Sequence, residues 1–178
     1  MKTIKQSLLM FTVLTILLCG VYPAVVMGVS KFFFSEQSKG GLITHKGNLI
    51  GAELIAQEFL SDKYFWGRPS AAGYNASASS GSNYALINSD HQKAVNDRKA
   101  KGMDYDLLTT SGSGLDPHIT PKAALLQVER IAKVRNMNPD DVTKLVQKSI
   151  EERQLGFLGE ERVNVLKLNI ALENLSHE

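Results

Sequence analysis

The chain has 178 residues, with 20 Lys plus Arg against 18 Asp plus Glu and a formal net charge of +2 at pH 7. That near balance excludes a strongly basic surface seeking phosphates, so nucleic-acid binding is not expected. Length beyond the apolar leader suits one domain able to bury its own core, and the single cysteine, Cys19, excludes an intrachain disulfide.

In chain order, the first predicted element is a membrane span. No charged side chain lies between Lys5 and Lys31, and residues 8–29 are dominated by Leu, Val, Ile, Met, Phe and Ala. The stretch exceeds the ~20 residues needed to cross a hydrocarbon core. Its large apolar residues supply roughly −4 to −6 kcal/mol of insertion free energy, before deductions for Thr, Gly and Pro. A cleaved signal peptide is the competing reading, because Lys2 and Lys5 precede an apolar run from Leu8 to Leu18. Against it, apolar character continues through Val21, Val25, Val26 and Val29, with no small-x-small cleavage site; bulky Leu17 and Leu18 disfavour lipid attachment at Cys19.

The expected organisation is therefore a short cytoplasmic N-terminus (1–7), a transmembrane helix (8–29) and one small α+β extracytoplasmic domain (30–178). Lys2, Lys5 and the amino terminus make the leading end positive, which favours its retention in the cytoplasm. Phe32, Phe33 and Phe34 are expected at the outer interface. Gly20, Pro23, Ala24 and Gly28 place small or helix-bending residues in the span, where they admit a neighbouring helix; the general abundance of Gly and Pro in membrane helices accounts for them equally.

Leu42, Ile43, Leu49 and Ile50, separated by Lys46-Gly47-Asn48, predict a strand or hairpin leading into a helix that buries Ile50, Leu54, Ile55 and Phe59. The aromatic cluster Tyr64, Phe65 and Trp66 is expected to plug the core. Gly67 to Asn88 is rich in Gly, Ser, Ala and Asn and reads as a long loop or a disordered linker. Ser89 with Gln92 matches a capping box opening a polar surface helix that stops near Gly102. Asp106 to Thr110 reads as a short strand ended by Ser111-Gly112-Ser113-Gly114. Thr120 and Pro121 predict a helix start, with an apolar stripe of Ala124, Leu125, Val128, Ile131 and Ala132. Asn138-Pro139-Asp140-Asp141 starts another, with a stripe of Val142, Leu145, Val146 and Ile150. Glu151-Glu152-Arg153 reads as its solvated end. The segment from Val163 to Leu175 begins as a strand and ends as a helix.

Two glycine-serine segments, residues 79–83 and 111–114, have the composition of anion-binding nests. Neither matches a phosphate loop, and tight turns are the simpler reading. His118 with Asp116 and Ser113 offers the residue types of a nucleophile triad, but no G-x-S-x-G elbow is present. The four histidines are scattered without metal-ligand spacing, so no metal is expected. Arg68, followed by Pro69, is expected to form an internal ion pair that pins the long loop, with direct partner contact as the alternative.

Gly67-Arg68-Pro69-Ser70-Ala71-Ala72-Gly73-Tyr74, Ser80-Gly81-Ser82-Asn83 and the run from Ser111 through Asp116, His118 and Pro121 resemble signature blocks of the KdpC family, the C subunits of bacterial potassium-transporting Kdp ATPases. The likeness includes Gly20-Val21-Tyr22-Pro23, Tyr64-Phe65, the helix from Gln127 to Arg135 and Val163-Asn164-Val165, and spans essentially the whole chain; Ser80 departs from the glycine common in the second block. The resemblance implies a single-pass, non-catalytic accessory subunit in the cell (inner) membrane. Its implied partners are a channel-like potassium-binding subunit and an ATP-hydrolysing subunit. It further implies roles in assembly and as a catalytic chaperone that raises ATP affinity, with ATP shared only in a transient complex with the hydrolysing subunit. Arg68, Ser70, Ser82, Asn83, Ser113, Asp116 and His118 are the candidate contact residues. A membrane-anchored solute-binding module, with the two Gly-Ser loops as its pocket, and an anchored hydrolase using His118 are the alternatives.

Overall fold

A computed structural model describes residues 2–175. The chain divides into two compact units, one ending at Leu42 and the other beginning at Ile43. In the first, helix α1 (Lys2–Thr15) passes through a π-helical turn (Ile16–Val21) into α2 (Tyr22–Phe33). The Tyr22 N–H donates to the Leu17 carbonyl five residues back, the widened spacing of a π-turn. Pro23 explains its position: proline lacks a donor and its ring crowds the preceding turn, and a π-turn relieves that crowding without ending the helix. The helix from Lys2 to Phe33 is long and apolar enough to span a bilayer, and none of its apolar window is buried by the rest of the chain. A Cβ added at Gly20 or Gly28 would meet open space. Helix α3 (Ser35–Ser38) closes this unit.

The second unit opens within a hairpin of β1 (Leu42–His45), whose first residue ends the first unit, and β2 (Asn48–Ala52). Its turn uses Lys46 and Gly47, both at positive φ (51° and 81°), the geometry whose twist matches paired strands. The helix expected over Ile50 to Phe59 does not form. Ala52 ends the strand, and long-range bonds take the backbone that a helix would need: Ala56 N–H donates to the Leu115 carbonyl at 3.0 Å, and the Gln57 side chain donates to the Ile50 carbonyl at 2.8 Å. Leu54 is consequently exposed and Ala56 is buried.

Helix α4 (Ser89–Ala100) is a polar surface helix, but its cap is Asn88 rather than Ser89. Asn88 holds extended φ/ψ and its side chain accepts from the Asp90 and His91 N–H groups, so the cap falls one position earlier than expected. The strand expected at Asp106 to Thr110 is instead a 3₁₀ turn, Tyr105–Leu107. It drops Leu107 into the core and turns Asp106 to accept from the Thr120 N–H and hydroxyl.

β3 (His118–Ile119), β5 (Arg162–Asn164) and β4 (Ile150–Glu151) form a small antiparallel sheet in that spatial order, registered by Ile119 opposite Val163 and Ile150 opposite Val163. Ile150 thus leaves the helical stripe assigned to it, and Glu151 is a strand residue paired with Arg162 rather than part of a helix end. Helices α5 (Pro121–Leu126), α6 (Val128–Arg135), α7 (Pro139–Lys148) and α8 (Val165–Leu175) pack together and on β5. Thr120 caps α5 as expected. The single helix anticipated there is broken at Gln127, whose side chain turns inward, and Leu125 is left 38% exposed. Asn136 ends α6 in the left-handed conformation, and Asn138 caps α7 two residues later.

Phe65 is fully buried at the centre of this core, with Ile119, Ile131, Val142, Val146, Val163, Leu168 and Leu172 around it. It lies on an extended segment that belongs to no sheet, so side chains must satisfy its backbone. Buried Asn169 accepts from the Phe65 N–H at 2.8 Å and donates to its carbonyl at 3.0 Å. Gln127 makes the same paired contact with Trp66, at 2.8 and 3.2 Å. Arg130 donates to the Asp62 and Tyr64 carbonyls, and Arg135 to that of Lys63. Arg130 also lies 3.6 Å from the Trp66 ring centroid. Burial pushes its guanidinium down to about 10, which leaves it charged at neutral pH.

Asn169→Leu should destabilise the domain by about 2–4 kcal/mol, because it strands one buried donor and one buried acceptor on Phe65. Denaturant titration followed through Trp66, the sole tryptophan, measures this. Asn96→Leu, on the exposed face of α4, should change stability by less than about 0.5 kcal/mol; equal effects from the two would refute the role given to Asn169.

Candidate functional site

The three segments richest in Gly, Ser and Asn are far apart in sequence but knit into one loop cluster. The Ser70 hydroxyl donates to the Gly114 carbonyl at 2.6 Å and accepts from the Ala72 and Tyr74 N–H groups. The Ser111 N–H donates to the Pro69 carbonyl, and the Ser80 N–H to that of Ser113 at 2.9 Å. The Ser79 hydroxyl reaches the same Ser113 carbonyl. The stretch from Pro69 to Gly81 is therefore a loop held in place by 111–114, and the linker reading is replaced there.

Two glycines make this closeness possible. A Cβ at Gly114, where φ is +69°, would lie 2.6 Å from the Ser80 carbonyl oxygen, and one at Gly81 would lie 3.0 Å from the Gly112 carbonyl oxygen. The loops occupy each other's space, so they form no solute pocket between them, contrary to the solute-binding alternative. The amides of Ser80, Gly114 and Leu115 are spent on Ser113 O, Ser111 O and Ser113 Oγ, as turns and loop contacts require rather than an anion nest.

On the edge of this cluster Arg68 donates to Asp116 at 3.3 Å and to the Thr110 carbonyl at 3.4 Å. The Tyr74 hydroxyl donates to the Arg68 carbonyl at 2.9 Å within the same loop, so the guanidinium ties the two loops together from a backbone that Tyr74 holds. This is the internal ion pair expected for Arg68. Asp116 also accepts from the His118 N–H at 3.0 Å, and its Oδ1 lies 3.5 Å from His118 Nδ1. The imidazole's hydrogen bond is the main influence holding the Asp116 carboxyl below its ordinary 3.8; partial burial opposes it, and the His118 N–H and the Arg68 charge reinforce it. Among the described residues, Ser113 Oγ accepts from the Leu115 N–H and has no hydrogen bond to His118, so the three do not assemble as a triad.

Arg68, Asp116 and His118 line one wall of an open cleft of about 600 Å³. Asp106, Thr120, Glu160, Glu161 and Arg162 are also part of its lining. Ser70 and Ser113 lie behind that wall as loop fasteners. Ser82 and Asn83 follow the packed Gly81, and among the described residues their side chains make no hydrogen bond; Asn83 is exposed at a positive φ of 53°. The structure thus joins Arg68, Ser70, Ser113, Asp116 and His118, and leaves half-buried Ser82 and exposed Asn83 at the edge of the cluster. Sequence reasoning passed over Gln127, Arg130 and Asn169. Their signal was a polar residue repeatedly placed inside an otherwise apolar helical stripe.

Among the described residues, one helix long and apolar enough to cross a bilayer, followed by a small α+β domain with a knitted loop cluster, fits a single-pass membrane protein. Comparison with known proteins makes the class specific: the family model described as KdpC, K+-transporting ATPase, c chain, matches residues 4–174. The chain belongs to the KdpC family. It is 50% identical to the "Potassium-transporting ATPase KdpC subunit" of Geotalea uraniireducens (strain Rf4), covering 99% of this chain and 100% of that one. It is 47% identical to the subunit of the same name from Geobacter sulfurreducens, over 98% and 99% of the two chains. For the Caldanaerobacter subterraneus subsp. tengcongensis subunit the identity is 45%, over 96% and 94%.

Gly114→Ala should cost about 2 kcal/mol or more through left-handed strain and the clash with Ser80, whereas Gly112→Ala, whose Cβ meets nothing within 4 Å, should be far milder. Thermal melts of the two variants check this ordering. Because the Asp116 value is lowered by folding, its contribution is complete above about pH 4 and disappears as pH falls through the folded value. The stability gap between wild type and Asp116→Asn should therefore close on acidification below about pH 4; a gap independent of pH would remove Asp116 from this account.

Proposed function

We propose that this chain is a non-catalytic accessory subunit of an ATP-driven potassium uptake complex, anchored by its N-terminal helix. The observation that carries the reading is the family match across nearly the whole chain, in which helix and domain are matched together. In this reading residues 1–7 are cytoplasmic, 8–29 cross the cell (inner) membrane and 30–178 form the extracytoplasmic domain, as the leading positive charge favours. Gly20, Ala24 and Gly28 recur at four-residue spacing, so with Pro23 they give the helix a slim side for packing against a helix of the complex.

The domain's contact surface is the loop cluster: Ser82 and Asn83 at its edge, and Arg68, Asp116 and His118 at the cleft, with Ser70 and Ser113 holding them in position. The partners are a channel-like potassium-binding subunit and an ATP-hydrolysing subunit. ATP is used on the cytoplasmic side, so an extracytoplasmic domain raises ATP affinity by favouring one conformation of the hydrolysing subunit rather than by holding the nucleotide. Such coupling is limited to the difference in its affinity for the two conformations, typically 1–3 kcal/mol, or roughly 5–150-fold.

Complexes purified with and without this chain test the proposal. Its omission should reduce recovery of the assembled complex, and the potassium-stimulated ATPase that remains should show a KM for ATP raised several-fold, within that range. Unchanged assembly together with unchanged ATP affinity would refute the accessory role. Asn83→Lys should weaken co-purification while leaving the melting temperature of the isolated chain unaltered, which separates contact from folding.

A further inference from the structure

The hairpin β1–β2 is ordered but scarcely buried. Its base is fastened to the domain: Gln57 donates to the Ile50 carbonyl, and Asn164 donates to the Glu53 carbonyl at 2.7 Å while Lys167 pairs with the Glu53 carboxylate. A side chain at Gly51 would collide with Gln57, so this fastening is close. Beyond the base, Leu42 is 52% exposed, Leu49 61% and Ile50 38%. Among the described residues, the two strands pair only with each other. An isolated two-stranded hairpin is marginal in water and needs a surface against its apolar face.

The chain itself indicates which surface. The apolar helix ends at Phe33, with Phe34 following, and Leu42 starts the hairpin. The connection contains the helical turn Ser35–Ser38, then Gly40 and Gly41, both at positive φ, whose N–H groups bond back to Gln37 and Glu36. Even fully stretched, such a connection reaches only about 25 Å, and the turned-back glycines shorten it. Between Lys31 and Ala52 the segment carries Lys31, Lys39 and Lys46 against the single acid Glu36. A short tether to a membrane helix, exposed leucines and a net positive charge together match the headgroup layer of a bilayer containing anionic lipid.

We propose that the hairpin Leu42–Ala52 is a second membrane contact, its Leu42 and Leu49 side chains lying in the headgroup layer of the bilayer that holds this chain's own helix. This inference requires only that the N-terminal helix spans the membrane, and it stands apart from the accessory role proposed above.

The test uses the full chain, with Cys19→Ala, in nanodiscs of phosphatidylethanolamine and phosphatidylglycerol. A nitroxide is attached at Leu49→Cys or, for comparison, at Leu155→Cys, which replaces an equally apolar residue 83% exposed elsewhere on the domain. Unchanged Trp66 emission confirms folding. The label at position 49 should be relaxed more by oxygen than by a water-soluble nickel chelate, and the label at 155 the reverse. A water-like response at 49, or a lipid-like response at both sites from a label that partitions by itself, overturns the proposal. So does protection of position 49 that appears only after the other subunits are reconstituted, since the occupant would then be protein.

Discussion

The globular unit depends on a single constraint: the extended segment carrying Tyr64, Phe65 and Trp66 runs through the core without a strand beside it. Backbone amides buried in that way require partners, or each costs about 1–3 kcal/mol. Helices supply them from outside the segment. Asn169 on α8 mimics a neighbouring strand for Phe65, and Gln127 does so for Trp66 from the break between α5 and α6. Arg130 and Arg135 gather the carbonyls that precede them. The break at Gln127 follows from this demand, since a residue whose amide side chain must point inward sits at a turn of the helical path.

The same constraint positions the loop cluster. Trp66 leads directly into Gly67 and Arg68, so the backbone held by Gln127 delivers Arg68 beside Asp116 and the Thr110 carbonyl. From the other side, β3 starts at His118, and its pairing with β5 places the Asp116–His118 turn. Glycines at 81 and 114 then let the two loops meet at backbone contact distance. A cluster without regular secondary structure is thus as determined as the sheet, because its ends emerge from fixed core elements and its amides are largely used internally.

Departures from sequence expectation share a cause. Local patterns anticipated a helix after Ile50, a strand at Asp106 and one unbroken helix after Thr120. In each case a distant partner took the backbone or side chain that the local structure would have used: Leu115 for Ala56, Thr120 for Asp106, Trp66 for Gln127. Asn88 took the cap from Ser89 for a more local reason, since it is the residue with extended backbone and its side chain reaches the Asp90 and His91 N–H groups. Among the candidate site residues, sequence singled out loop positions that packing does not explain. It could not distinguish Ser70 and Ser113, which fasten the loops, from Asn83, which is exposed beyond them.

The sequence by itself determined the apolar helix, the α+β class, the helix starts at Thr120 and Asn138 and membership of the KdpC family, because these rest on composition, local spacing and ordered motifs. Tertiary structure alone decided that the long Gly-Ser region is a fastened loop, that Arg68 and Asp116 meet, and that Phe65 is held by Asn169. The physical reason is distance along the chain: Arg68 and Asp116 are 48 residues apart, and Phe65 and Asn169 are 104 apart. No local propensity encodes such pairings; they arise when the core closes and every buried amide must find a donor or an acceptor.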